Sequence, residues 1–234
     1  MPDIARALGS NRLLALLPNA DLETMLPHLK VVPLAVGVPL SEGVHFVVSG
    51  LVSMFVLTSE GQSLSTGLVG REGAVSLTGL GSRLPSIQTA VLAPGSAARI
   101  SRSHFREVWS NSAAVRDLQV RYSELMLSDA QQNTACNALH GAQGRLCTWL
   151  LRAHDRLPGE TLPFTQAILA EMVGVRRTTV TLLAHDLQRE GILRYARGQI
   201  QVVSRAGLEN QACECYRITQ RCLDDGFATI ATSG

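Results

Sequence analysis

The chain has 234 residues, and its hydrophobic fraction of 46% is high enough to bury one large core or two smaller ones, which argues against intrinsic disorder. The formal net charge of +2 indicates no particular partner, and no apolar run approaches the ~20 residues that span a bilayer. Asp3, with no apolar core after it, argues against a signal peptide, so we expect a cytoplasmic protein whose five cysteines, an odd number, stay reduced.

The N-terminal half shows two patterns. Leucines at helical spacing between residues 10 and 30 predict a short helical flank that packs on another element. From Val31 to about Ile100, β-branched runs such as Phe46–Val48 and Leu51–Leu57 alternate with glycine. Many short strands at turn-sized intervals predict an antiparallel β-barrel or roll.

A helical stretch follows, because glycine and proline are absent between about Ser103 and His140. Its residues recur at alternating steps of three and four, which predicts a coiled-coil dimer seam. The apolar members of this stripe are Val115, Leu118, Tyr122, Leu125, Cys136 and Leu139. Two further members, Asp129 and Gln132, are polar. They either fix the register or face solvent where the helices splay, or they form a contact that responds to a ligand.

The C-terminal third contains a helix-turn-helix pattern. Thr165 can cap a helix over Gln166–Val173, Gly174 provides a tight turn, and a second helix begins near Arg176 and ends at about Arg189. Apolar residues at helical spacing form one face of the second helix, and polar residues form the other. This arrangement is typical of DNA-binding proteins.

An α-helix fits the major groove of DNA, where arginine bonds guanine and threonine contacts mixed base edges. After the second helix, two short strand patterns flank Arg197-Gly198, which predicts a hairpin wing able to contact phosphate. Between Pro163 and Leu208 there are six arginines and three acidic residues, so positive charge is concentrated there. The predicted DNA-contacting residues are Arg176, Arg177, Thr178, Thr181, His185 and Arg197. A winged helix that contacts protein instead of DNA is the alternative.

This order of elements resembles the Crp-Fnr family of bacterial transcription regulators over roughly residues 20–205. The most specific part is ILAEMVGVRRTTV at Ile168–Val180, followed by LQREGIL at Leu187–Leu193. The segment FVVSGLV at Phe46–Val52 is similar to the β-roll of the family.

The resemblance implies a homodimer on an inverted repeat, with double-stranded DNA and RNA polymerase as partners. It also implies base contacts from Arg177, Thr178 and Leu182. The best-known member has arginine where this chain has Leu182, and leucine cannot donate a hydrogen bond to guanine. The target sequence of that member therefore cannot be transferred to this chain.

Cyclic-nucleotide sensors of the family hold the ribose with a glutamate after a glycine and the phosphate with an arginine before the next strand. Gly70, Glu72 and Gly73 resemble the first half and are the candidate effector-pocket residues. Ile87 or Gln88 stands where the arginine would be, and a buried phosphate without a cation would cost several kcal/mol. We therefore expect regulation independent of cyclic AMP, a structural role for Glu72 in its turn, and an effector of unknown identity.

No cofactor and no metal site are predicted. Iron–sulfur sensors of the family use an N-terminal cysteine cluster, whereas the first cysteine here is Cys136, and the histidines lack the context of haem ligands. Three tail cysteines could bind a soft metal or form a redox pair, but packing within a helical tail is the simpler interpretation. They are Cys213, Cys215 and Cys222.

The predicted fold class is α+β, with an N-terminal antiparallel β-roll like a cyclic-nucleotide-binding domain, a long dimerisation helix and a C-terminal winged helix-turn-helix. The predicted domains are residues 1–110, a sensor-like roll with N-terminal helices, residues 111–140, the dimerisation helix, and residues 141–234, the DNA-binding domain with its tail. An enzyme is not expected, because the chain has no nucleophile elbow, phosphate loop or paired metal-binding histidines. A regulator gated by a cyclic nucleotide, redox change or metal is the alternative function.

Overall fold

The N-terminal half is built on a five-stranded antiparallel sheet. The computed structural model describes residues 9–77, 87–196 and 198–231. Its strands are β1 Lys30–Leu34, β2 Val44–Leu57, β3 Ser63–Val69, β4 Ala74–Val75 and β5 Ile87–Ile100. They follow the order β1-β5-β2-β3, and β4 pairs with the start of β2. The predicted antiparallel roll is confirmed.

The roll differs from the sequence prediction in one respect, because the two strand patterns on either side of Gly50 form the single strand β2. Gly50 has φ of 88°, and the pairing of β2 with β5 shifts register around it. A Cβ at this position would lie 2.7 Å from the carbonyl oxygen of Ala93. Only glycine allows the two strands to approach this closely in that conformation.

The N-terminal flank is helical, as predicted. It contains α1 Asn19–Met25 between two single turns of 3-10 helix, Leu14–Leu16 and Leu26–His28. Leu14 and Met25 are fully buried in the same core cluster as Phe46 of the roll. The flank thus closes one face of the roll.

The helical stretch after the roll is divided in two, α2 Arg102–Asn111 and α3 Ala113–Leu139. The division falls at Ser112, whose backbone is extended and whose side chain accepts a hydrogen bond from the Val115 N–H at 3.1 Å. A serine in this geometry is an N-cap, so it ends one helix and starts the next without glycine or proline. Helix α3 is therefore shorter than the glycine-free stretch from about Ser103 to His140.

The C-terminal half contains five helices and a three-stranded sheet among the described residues. They are α4 Ala142–His154, β6 Thr161–Leu162, α5 Gln166–Val173, α6 Arg177–Arg189, β7 Leu193–Ala196, β8 Gln199–Val202, α7 Arg205–Gln211 and α8 Cys215–Ala231. The sheet order is β6-β8-β7, so β6 adds a strand to the predicted hairpin.

The two halves share their cores. Leu51 and Leu68 of the roll belong to the same buried cluster as α4, α5 and α6. In the other direction, α8 returns along α3 and buries Phe227 and Ile230 in the N-terminal core. None of the helices that the structure describes is long and apolar enough to cross a membrane.

Candidate nucleic-acid interface

The helix-turn-helix consists of α5 and α6, joined at Gly174. The Thr165 side chain accepts a hydrogen bond from the Ile168 N–H at 3.3 Å, which caps α5. Gly174 follows the last residue of α5 with φ of 68°, in the left-handed region that favours glycine. Arg176 is the N-cap of α6. The predicted cap, turn and second helix therefore occur at the predicted positions.

Helix α6 presents a continuous polar face. Val180, Ala184 and Leu187 are buried against the domain core. The exposed residues at the start and along the outer face are Arg176, Arg177, Thr178, Thr181 and His185. Five of the six predicted DNA-contacting residues thus lie together on one exposed surface. The sixth, Arg197, lies outside the described residues.

Gln166, a residue that the sequence analysis did not single out, also reaches this surface. The Thr181 hydroxyl lies 3.0 Å from the Gln166 side-chain oxygen and 3.0 Å from the backbone oxygen of Arg177. The hydroxyl can donate to one of these and still accept a bond from a base. The position of Gln166 at the N-terminus of α5 was the available signal, because that end of the first helix faces the second.

Leu182 lies on the same outer face and is 68% exposed. An apolar side chain in this position cannot bond a base edge, but it can contact the methyl group of thymine. A leucine at this position would therefore favour a different base in the major groove from the one that an arginine favours.

The wing, which is the hairpin of β7 and β8, is hydrogen-bonded to α6. The Tyr195 N–H of β7 donates to the Gln188 side-chain oxygen at 3.0 Å. Gly198, at the turn between β7 and β8, has φ of 77°, as a tight hairpin requires. The wing therefore keeps a fixed position relative to α6.

The predicted dimer seam does not match the structure, because Leu139 alone of its apolar side chains is exposed, at 77%, and the other five lie inside the core of the single chain. Their exposed fractions are at most 5%. These residues are Val115, Leu118, Tyr122, Leu125 and Cys136. The roll and α8 cover the stripe, so it is not available to a second copy.

The opposite face of α3 is exposed and also repeats at steps of three and four. Its apolar members, Val120 and Leu127, are 49% and 60% exposed. Ser123, Ala130 and Thr134 occupy the intervening and following positions of the same stripe. This face has small and apolar residues at coiled-coil spacing.

The polar pair in the stripe contacts the C-terminal half of the same chain and not a second copy, whereas a contact that responds to a ligand stays a prediction. The Asp129 carboxylate accepts two hydrogen bonds from Arg152 of α4, at 2.8 and 2.6 Å. The Gln132 amide lies 3.1 Å from the Cys215 sulfur. Both residues therefore connect α3 to the C-terminal half of the same chain.

The candidate effector-pocket residues form a turn that is closed by an ion pair. Glu72 accepts the Gly70 N–H at 3.1 Å and a hydrogen bond from Arg156, in the turn after α4, at 2.6 Å. Burial by itself would raise the pKa of the Glu72 carboxyl, but Arg156 and the Gly70 N–H hold that pKa below its ordinary value. Glu72 thus has the expected structural role, and its carboxylate is already engaged.

Gly73 is covered by the side chain of Tyr122. The Tyr122 hydroxyl accepts from the Ala74 N–H and donates to the Ala74 carbonyl, both at 3.1 Å. Burial raises the pKa of Tyr122, so the phenol stays neutral. Gln88, one of the two residues that stand where a phosphate-binding arginine would be, is exposed and pairs with Phe55 of β2. Residues 78–86 lie outside the described residues.

A polar cavity of about 630 Å³ lies beside this turn, between the N-terminal flank, α4 and α8. Arg12 and Arg71 line it together with Glu72 and Asp224. The Arg12 guanidinium lies 4.0 Å above the ring of Phe227, also at the cavity wall. A small anionic molecule would meet the Arg12 and Arg71 guanidinium groups there, although the carboxylates of Glu72, Asp155 and Asp224 also line the cavity.

The three tail cysteines do not form one group. The Cys222 sulfur lies 3.3 Å from the Ser128 hydroxyl on α3. Cys213 and Cys215 instead adjoin Cys136 and His140, at the end of α3. The four-residue spacing of Cys136 and His140 was the signal for this grouping, since it places both within one turn.

Residues 144–211 match the family model of the Crp-like helix-turn-helix domain. No curated protein is significantly similar in sequence to the chain. Many solved structures share its fold, among them the following three.

A protein of Eubacterium rectale assigned to the crp/fnr family of transcriptional regulators matches with a TM-score of 0.69 and 17% identity, over 85% of this chain and 96% of that protein. FixK2 from Bradyrhizobium japonicum matches with a TM-score of 0.65 and 18% identity, over 79% and 98%. A CRP/FNR-family transcriptional regulator from Thermus thermophilus matches with a TM-score of 0.62 and 23% identity, over 78% and 98%.

At these identities the structural similarity establishes the fold, whereas the family model identifies the helix-turn-helix domain from its sequence. The two findings agree, because the matched segment coincides with the α4–α7 region of the shared fold. The chain therefore contains a Crp-like helix-turn-helix domain at residues 144–211, within a fold that it shares with regulators of the crp/fnr family.

Proposed function

We propose that the protein is a homodimeric transcription regulator that binds an inverted repeat, with α6 in the major groove of each half-site. The observation that carries this proposal is the exposed polar face of α6. In this assignment residues 1–110 form the sensor-like domain, 111–140 the dimerisation helix and 141–234 the DNA-binding domain. RNA polymerase is the expected protein partner.

The residues of α6 divide into two roles. Arg176 and Arg177, at the N-terminus of the helix, suit phosphate and guanine, because the first turn of a recognition helix reaches deepest into the groove. Thr178, Thr181 and His185 follow along the exposed face and contact base edges. Leu182 contacts a thymine methyl, so we expect A·T pairs where a member with arginine reads guanine.

The dimer forms through the exposed face of α3. Val120 and Leu127 lie one heptad apart, and Ser123 and Ala130 are small enough for two helices to approach closely at the positions between them. A two-fold axis along this face would relate two copies of α6, and the half-sites of the operator would be separated by about one helical turn or a multiple of it.

Regulation does not depend on cyclic AMP in this proposal. Glu72 is paired with Arg156, and Tyr122 covers Gly73, so a ribose would have to displace both contacts. The polar cavity lined by Arg12 and Arg71 favours a second candidate, a regulator gated by a small anion. Binding of DNA by the ligand-free protein distinguishes the two.

The first experiment selects genomic fragments with the purified, ligand-free protein and measures its affinity for the selected site at several salt concentrations. The Arg177→Ala variant should bind that site roughly 5- to 150-fold more weakly and with relaxed base preference, because a bidentate arginine–guanine contact discriminates by about 1–3 kcal/mol. Arg221→Ala, which removes the same charge from an exposed position on α8, is the control and should bind like the wild type.

Recovery of an inverted repeat whose affinity falls steeply with salt would support the proposal. Equal losses in the Arg177 and Arg221 variants would show that Arg177 reads no base. Failure to select any sequence would favour the anion-gated regulator, and a salt-independent interaction with protein would favour a protein-binding winged helix.

A further inference from the structure

Four side chains that can bind metal meet where the long helix α3 ends against the start of α8. Cys136 lies in the last turn of α3, and His140 is the C-cap of that helix. Cys215 is the first residue of α8, and Cys213 precedes it by two positions. The four ligand atoms all lie within 4.8 Å of one another. Two segments that are distant in sequence, 136–140 and 213–215, therefore bring three sulfurs and one imidazole to a single point.

The distances suit a single tetrahedral ion. The Cys136 and Cys213 sulfurs are 3.5 Å apart, and the Cys215 sulfur lies 3.3 Å from Nδ1 of His140. Bond lengths of about 2.3 Å for Zn–S and 2.0–2.1 Å for Zn–N give tetrahedral edges of roughly 3.6–3.8 Å. A cluster whose cysteines bind separate irons would hold the sulfurs further apart. The site therefore has the size of a mononuclear Cys3His centre.

Groups around the four ligands are arranged as they are around known metal sites. The second ring nitrogen of His140 faces the Glu214 carboxylate at 3.9 Å. The Thr148 hydroxyl lies 3.1 Å from the Cys213 sulfur, and the Gln132 amide lies 3.1 Å from the Cys215 sulfur. A carboxylate orients the imidazole, and donors to sulfur stabilise thiolates. Cysteines that only filled space would need none of these partners.

We propose that this group binds one Zn²⁺ ion through Cys136, His140, Cys213 and Cys215. Three Zn–S bonds and one Zn–N bond form, the thiol protons leave to solvent, and no oxidation state changes. Cys136 and Cys215 are buried, and all four coordination positions are supplied by the protein, so the site is structural and not catalytic.

The site connects the long helix to the far side of the DNA-binding domain. His140 and Gly141 form the connection between α3 and α4, and the Cys213 N–H already donates to the Gly144 carbonyl at 3.3 Å. An ion at this position fixes the segment after the wing to the end of α3. Zinc therefore holds the DNA-binding domain in a defined orientation relative to the dimer helix.

The test measures metal in purified full-length protein by mass spectrometry of the elements, followed by titration of the chelated protein with Zn²⁺ and Co²⁺. We expect about one zinc per chain in the wild type and in the control Cys222→Ser, which lies outside the group. Cys213→Ser and His140→Ala should lose most of the bound zinc. Bound Co²⁺ should give the strong visible absorption of tetrahedral thiolate coordination, and zinc should raise the unfolding temperature of the wild type and of Cys222→Ser but not of Cys213→Ser or His140→Ala.

Several outcomes would overturn the proposal. These are a wild-type chain that neither contains nor takes up zinc, an iron centre in place of zinc, or full zinc content in Cys213→Ser. A loss of two mass units with a Cys136–Cys213 linkage in place of metal would identify a redox pair instead. The Co²⁺ titration of the wild type remains decisive even if a variant fails to fold.

Discussion

Arg152 shows how one buried residue joins the two halves of the chain. It is 1% exposed and lies on α4, with its guanidinium 4.7 Å above the ring of Trp149. It donates to both oxygens of Asp129 and, at 2.7 Å, to the side-chain oxygen of Asn133, both on α3. A buried charge is tolerated only when it is paired and hydrogen-bonded in this way. The Arg152 guanidinium therefore links α3 to α4 through three buried hydrogen bonds.

Replacing Arg152 alone should be strongly destabilising. Arg152→Met leaves the Asp129 carboxylate buried without a partner, and we expect a loss of about 3–5 kcal/mol in the free energy of unfolding. The double variant Asp129→Leu/Arg152→Met should recover much of that loss. Urea denaturation measures both. Removal of the half-exposed Asp117–Arg121 pair on α3 by Asp117→Ala should cost less than about 1 kcal/mol and serves as the control. An equal cost for the two single variants would contradict this account.

Helix α3 has two stripes at coiled-coil spacing, and only one of them faces solvent. The buried stripe, which includes Leu118 and Leu125, packs on the roll and on α8. The exposed stripe contains Val120 and Leu127. The hydrophobic periodicity of a helix shows that a face is covered, but it does not show whether the same chain or a second copy covers it.

This is the physical reason why the sequence predicted some parts of the fold and not others. The helix-turn-helix depends on local signals, the Thr165 cap and the Gly174 turn, and each was found in place. The dimer face and the grouping of cysteines depend on where α8 packs, and α8 covers α3 from nearly a hundred residues away. Long-range pairings of this kind leave no local pattern in a single sequence.

The exposed stripe leads to a test at the level of the element. Leu127→Asp places a charge on each side of the proposed dimer axis, and because the side chain is exposed, the fold should survive. We expect monomers in sedimentation at concentrations where the wild type is dimeric, and a large loss of affinity for the inverted repeat with little change for a single half-site. Val36→Asp, at an exposed apolar position in the roll, is the control. A dimeric Leu127 variant would place the interface elsewhere.

At the scale of the whole molecule, side-chain contacts join the roll to the C-terminal half at several places. Leu64 of β3 lies against the helix-turn-helix at Gly174, and the Glu72–Arg156 pair joins the roll to the turn after α4. The turn that holds the ribose in cyclic-nucleotide sensors of the family is here used as a connection between domains.

The Glu72–Arg156 connection should give the stability of the chain a dependence on pH. The pKa of Glu72 is lower in the folded chain than its ordinary value of about 4.3, so its stabilisation is complete above that value and is lost as the pH falls through the lower, folded value. Glu72→Gln should lower the free energy of unfolding by roughly 1.5–3 kcal/mol at pH 7, and the difference from the wild type should shrink below about pH 4. Urea denaturation at both pH values, with the exposed Glu107→Gln as the control for the lost charge, measures this. A difference that stays constant down to pH 3 would show that the carboxylate charge does not hold the roll to the turn after α4.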